Sequence, residues 1–98
     1  MSGFILSERA KKDLRQIWHY TVDSWSVDQA KKYYDELLDI CEMIPERTVR
    51  GIKTFEGIRP GLLGYHCNHH IIFFKSISKN RIRIIRILHD KMDFPRHL

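Results

Sequence analysis

The chain has 98 residues, 43% of them hydrophobic, which suits one packed domain over residues 1–98 rather than a disordered segment. No apolar run reaches the roughly 18 residues needed to span a bilayer, and two cysteines make no disulfide framework. There is no charged start followed by a long apolar stretch, so the reading is a protein of the reducing cytoplasm with no membrane partner. The net charge of +5 is polarised: residues 1–46 hold six Lys and Arg against nine Asp and Glu, and residues 47–98 hold eleven against three. The C-terminal half should therefore face an anionic partner, nucleic acid or an acidic protein segment, unless its cations only keep strand edges soluble.

In chain order, Phe4-Ile5-Leu6 reads as a first strand leading into a helix. Ser7 is a good N-cap, and Glu8 complements the helix dipole. Ala10, Leu14, Ile17, Trp18, Thr21, Val22 and Trp25 recur at spacings of three and four, the buried face of an α-helix. Arg9, Lys11, Lys12, Asp13, Arg15 and Gln16 are expected to face water. Ser26 and Gln29 fit a capping box that opens a second helix. Its buried side is Ala30, Tyr34, Leu37, Leu38, Cys41 and Ile44, and Tyr33, Ile40 and Met43 widen the stripe. Pro45 stops it. So short a link predicts an antiparallel helical hairpin.

Residues 46–57 read as basic and irregular, with Arg47, Arg50 and Lys53 exposed. After the Pro60-Gly61 turn signal come strands over 62–67, 69–75 and 81–88, joined by short turns into an antiparallel meander. The last strand carries apolar residues on both faces, so it should lie inside the sheet. Strict alternation places Ile82, Ile84, Arg86 and Leu88 on one face and Arg81, Arg83, Ile85, Ile87 and His89 on the other. The expected fold is α+β: two layers in the order β-α-α-β-β-β, an antiparallel sheet packed on an α-helical hairpin.

Arg86 among apolar neighbours needs a partner, and an ion pair with Asp90 or Asp93 would supply one. His66, Cys67, His69 and His70 cluster but lack a second ligand pair at zinc-finger spacing, so no metal or other cofactor is expected. Cys67 has nearby histidines, but His66 and His70 fall on the other strand face; Cys41 reads as packing. An arginine that holds a phosphate and a histidine acting as acid or base could cut RNA, and Arg59, Arg86 and His89 supply those types. A second acid or base beside the strand end is missing, and no Tyr follows Leu88.

Several blocks stand in order along the chain: Leu6-Ser7, Ala10 through Leu14, Ile17 and Tyr20; Trp25…Gln29-Ala30…Tyr33-Tyr34; Ile58-Arg59-Pro60-Gly61-Leu62 with Tyr65; His70–Phe74; and last Ile87-Leu88-His89-Asp90-Lys91-Met92-Asp93. Together they resemble the ParE branch of the RelE/ParE toxins of bacterial type II toxin–antitoxin systems. The resemblance implies a toxin without catalytic residues that poisons DNA gyrase and is neutralised by a cognate antitoxin, whose acidic C-terminal segment would wrap it. It implies target or antitoxin contacts from Arg59, Arg83, Arg86, His89 and Lys91 on the basic side, and from Tyr33, Ile40 and Met43 on the second helix. The alternative is a RelE-like ribosome-dependent mRNA endonuclease using Arg59, Arg86 and His89. One departure stands out: Leu63 occupies a position where the family often has arginine.

Overall fold

The computed structural model describes residues 3–46 and 48–98; Arg47 lies outside them. The elements are β1 (Phe4–Leu6), α1 (Glu8–Ser24), α2 (Val27–Met43), β2 (Lys53–Thr54), β3 (Leu63–Cys67), β4 (His70–Ser78), β5 (Arg81–His89) and a short α3 (Phe94–His97). The helix starts are set by serine caps: Ser7 Oγ accepts from Ala10 N–H at 3.0 Å and Ser26 Oγ from Gln29 N–H at 3.1 Å. Each satisfies a backbone donor that has no partner within its helix.

The sheet order is β1-β5-β4-β3-β2. From β2 to β5 every pairing is antiparallel, as the short turns predict, and β1 alone departs by joining β5 in parallel. The two-residue β2 and the α3 turn were not expected from the sequence. In the basic segment Lys53 and Thr54 find partners only because Leu63 and Gly64 fold back beside them.

The α1–α2 hairpin covers one sheet face. Ala10, Leu14 and Ile17 of α1 and Leu37 and Cys41 of α2 close over Ile72, Phe74, Ile82, Ile84 and Ile87. The apolar stripe of α1 outruns the sheet, however: Trp25, expected on the buried face, is 72% exposed, and Tyr20 is 70% exposed.

Strict alternation along β5 fails at one position. Phe73 pairs with Arg86 but Phe74 pairs with Ile84, so Ile85 is the extra residue of a β-bulge. The bulge shifts the faces that follow. Ile87 joins Ile82 and Ile84 under the helices, while Leu88 joins Ile85 on the outer face. The expectation that β5 is covered on both sides holds. The outer cover is local: Phe55, Ile58, Phe94 and Leu98 pack over Leu62, Phe73 and Leu88.

Gly64 makes this outer layer possible. A Cβ there would lie 2.6 Å from Phe55 Cε2 and 3.2 Å from Ile71 Cγ2. Gly64→Ala should thus push Phe55 off Phe73 and cost about 1–3 kcal/mol of stability, measured as a lower urea midpoint at unchanged slope.

Candidate functional site

β1 pairs only with Ile82–Ile84, so the second half of β5 would expose an edge. The start of α1 takes over that role. Ser7 N–H donates to Ile84 O at 2.9 Å, and the Ser7 hydroxyl donates to Ile85 O at 2.7 Å. One turn further on, Asp13 Oδ2 accepts from Ile87 N–H at 2.9 Å. The same carboxylate receives both Arg86 Nε–H at 2.8 Å and Nη2–H at 2.9 Å. The charge-assisted bonds to Asp13 hold the Arg86 guanidinium above the usual arginine pKa. The ion pair expected with Asp90 or Asp93 is therefore made with Asp13. That residue, expected in water, is buried. Its position between Ala10 and Ile17 on the apolar stripe was the available signal.

Arg86 also donates from Nη1 to His97 O at 2.8 Å, and Arg59 Nη2 donates to Leu98 O. The two arginines thus clamp the C-terminal segment over the outer face. Arg86 and His89 share a groove of about 260 Å3 between α1 and β5, with Asp13, Tyr20 and Met92. Arg59 is not among its lining residues, so the proposed cleavage trio does not converge in one groove.

A larger groove of about 470 Å3 opens beside the β3–β4 turn, walled by Tyr20, Trp25, Lys32, Tyr33, His69 and His89 among others. Asn68 makes that turn with φ 56°, a left-handed conformation that asparagine tolerates. The turn brings four histidines to one end of the sheet. Tyr33 O–H lies 2.6 Å from His70 Nδ1. Burial, aided by the neighbouring His89 and His69 rings, pushes His70 down to about 4. Burial likewise raises the Tyr33 hydroxyl to about 12. The hydroxyl therefore keeps its proton and donates it to a neutral imidazole. His66 Nε2 lies 3.0 Å from Asp90 Oδ2. Desolvation works to raise the Asp90 carboxyl, but the His66 bond and the nearby imidazoles outweigh it and leave the pKa below the usual range.

His89 Nδ1 accepts from Lys91 N–H at 3.2 Å and lies 3.3 Å from Asp90 Oδ1. Lys91 and Arg83 are exposed. On α2, Tyr33 and Ile40 are half-buried against the core, and only Met43, 39% exposed, offers substantial surface. Leu63, where the family often has arginine, packs partly on the helical-face core. Both cysteines are buried and free; burial lifts Cys41 to about 12 and also raises Cys67, which keeps both as thiols. Among the described residues, no three His, Cys, Asp or Glu side chains converge to hold a metal.

A family model described as the ParE toxin of the type II toxin–antitoxin system parDE matches residues 4–94. The chain is 38% identical over 98 residues to Toxin ParE1 of Caulobacter vibrioides, covering 100% of this chain and 99% of that one. It is 33% identical over 97 residues to Toxin ParE1 of Mycobacterium tuberculosis, covering 99% and 98%. A solved chain of the chromosomal ParDE system from P. aeruginosa superposes with a TM-score of 0.69 at 19% identity, covering 91% of this chain and 96% of that one. The chain belongs to the ParE toxin family and is the toxin component of such a system.

Testable outcomes follow from the Asp13–Arg86 pair and from half-buried His70. Asp13→Ala leaves a guanidinium and the Ile87 N–H without their acceptor and should cost about 3 kcal/mol or more. Arg86→Leu, which keeps the Ile87–Asp13 bond, should cost less; equal losses in thermal melts would count against this account. His70 is neutral in the fold, so the unfolded chain binds the extra proton between its ordinary pKa of 6.5 and about 4. Stability is then complete above pH 6.5 and falls as pH drops towards 4, by about 1–2 kcal/mol once solvent screening in the open groove is allowed for. His70→Asn, which keeps an acceptor for Tyr33, should flatten that part of the stability–pH curve.

Proposed function

We propose that this toxin acts in the cytoplasm as a non-catalytic poison of DNA gyrase and is held inactive by a cognate antitoxin. The observation that carries the non-catalytic reading is the state of the two arginines. Arg86 is bound to Asp13 and to His97 O, and Arg59 to Leu98 O, so both guanidiniums are already engaged within the chain, and the groove that Arg86 shares with His89 is not lined by Arg59. Family membership supports gyrase as the target. The cation-rich C-terminal half, with Arg83 and Lys91 exposed, supports a large anionic or DNA-bound target.

The antitoxin's acidic, amphipathic segment folds on binding over the helical hairpin. Tyr20 and Trp25 give it apolar footholds around the larger groove, with Lys32 beside them for its carboxylates. Met43, at the far end of α2, is a further exposed apolar side chain.

Purified toxin at micromolar concentration should block gyrase supercoiling and accumulate cleaved DNA, and equimolar antitoxin should reverse both. Intact gyrase activity, together with mRNA cut at the ribosomal A site and lost in His89→Ala, would replace this reading with ribosome-dependent cleavage.

A further inference from the structure

The outer face of the sheet is divided. One half is capped by Phe55, Ile58, Phe94 and Leu98, and the other half is open. Along β5, Ile82 and Ile84 point under the helices, so Arg81 and Arg83 point outward, and both are exposed. Lys75 stands directly across from Arg83 on β4, and Ile5 stands across from it on β1. Lys79 sits in the turn that joins β4 to β5. Like charges directly opposite on neighbouring strands destabilise a sheet. No carboxylate relieves them: among the described residues, Lys75, Lys79, Arg81 and Arg83 form no ion pair. The three acids of the C-terminal half are placed elsewhere. Glu56 binds Gly61 N–H, Asp90 binds His66, and Asp93 precedes α3.

We infer that this open half-face, Lys75, Arg81 and Arg83 with Lys79 at its margin, is a docking surface for the phosphodiester backbone of a nucleic acid. Its repulsion persists in the free protein and is relieved by a partner that brings negative charge. Along β5 the two arginines are roughly 6.7 Å apart, and Lys75 lies roughly 5 Å across. A nucleic-acid backbone carries one charge per roughly 3.4 Å of each strand and can meet all three. An acidic protein segment would look for apolar pockets to anchor it. Here the exposed apolar residues, Ile5 and Ile77, sit at the margins, and the cations line neither groove. A uniform polyanion asks for no such pocket. The inference does not depend on gyrase as the target, because it concerns the toxin alone with nucleic acid.

The test is fluorescence anisotropy with the intact purified toxin, using labelled duplex DNA, single-stranded RNA of the same length, and poly-glutamate, each across a salt series. The triple variant Lys75→Gln/Arg81→Gln/Arg83→Gln is compared with Lys11→Gln/Lys12→Gln/Arg15→Gln, which removes the same charge from α1. The outer-face variant should weaken nucleic-acid binding about tenfold or more and lower the log–log salt slope by about 2–3, while the α1 variant stays near the parent. Its melting temperature should hold or rise as the Lys75–Arg83 repulsion goes, and Arg83→Gln alone should show a smaller loss of the same kind. Preference for DNA over RNA, or the reverse, would identify the source of the phosphates. The inference is overturned by no binding of the parent to either nucleic acid, by equal losses in the two triple variants, or by loss confined to poly-glutamate. Gyrase inhibition measured on the same outer-face variant reports separately on the toxin's target.

Discussion

The fold turns on one carboxylate. Asp13 leaves α1 on the apolar stripe and meets β5 where β1 has run out. It accepts a main-chain N–H that would otherwise stand on an exposed edge and both arms of a guanidinium. Arg86 then passes the connection to the far side of the sheet through His97 O. Helix layer, sheet edge and C-terminal segment are tied by two side chains. A buried ion pair of this kind is not a large source of net stability, because desolvating both charges offsets most of their attraction. Its effect is on register. With Ile87 N–H and Arg86 both tied to Asp13, the bulge at Ile85 is held in place, and with it the assignment of Ile87 to the inner core and Leu88 to the outer one.

That division explains what could be read in the sequence. The helices were legible because their signals are local: serine caps, a 3.6-residue apolar period, and a proline stop. The meander was legible from short turns between β-branched runs. The bulge was not, because nothing in Arg81–Leu88 states that Phe73 and Phe74 straddle an extra residue; that is a property of two strands together. The charge of Asp13 points to water, although Ala10, Leu14 and Ile17 place it on the stripe. The apolar neighbours of Arg86 in the sequence mark it as needing a partner, and the carboxylates nearest in sequence are Asp90 and Asp93. Those residues lie past the strand end, where Asp90 is engaged with His66. Trp25 fits the helical period but projects beyond the sheet, and periodicity does not say where a sheet ends.

The same architecture polarises the surface. The acidic N-terminal half supplies the helical hairpin, the basic half supplies β2 to β5, and so the two layers of the fold differ in charge. On the inner face, apolar residues from both layers meet. On the outer face, the tail covers only the end of the sheet near Phe73 and Leu88, and the cations of the β4–β5 hairpin stay uncovered. The exposed aromatics at the turn end of the helical hairpin lie apart from those cations. Two partners of different chemistry, one amphipathic and one polyanionic, can be accommodated on separate surfaces of a small protein.

The arginine at the joint also bears on what the fold can do. Arginine offers five N–H donors and no acceptor. Arg86 has committed Nε–H, one Nη1–H and one Nη2–H to partners that belong to the chain itself. To grip a substrate phosphate through Nε–H and Nη2–H, the edge now given to Asp13, it would have to release that carboxylate. That would leave a buried carboxylate without its counter-charge and loosen the edge of β5. The binding energy of a phosphate would be spent on undoing the link between helix and sheet. A guanidinium in this position is a rivet between helix and sheet, and the surfaces on either side of it are held in place by that link.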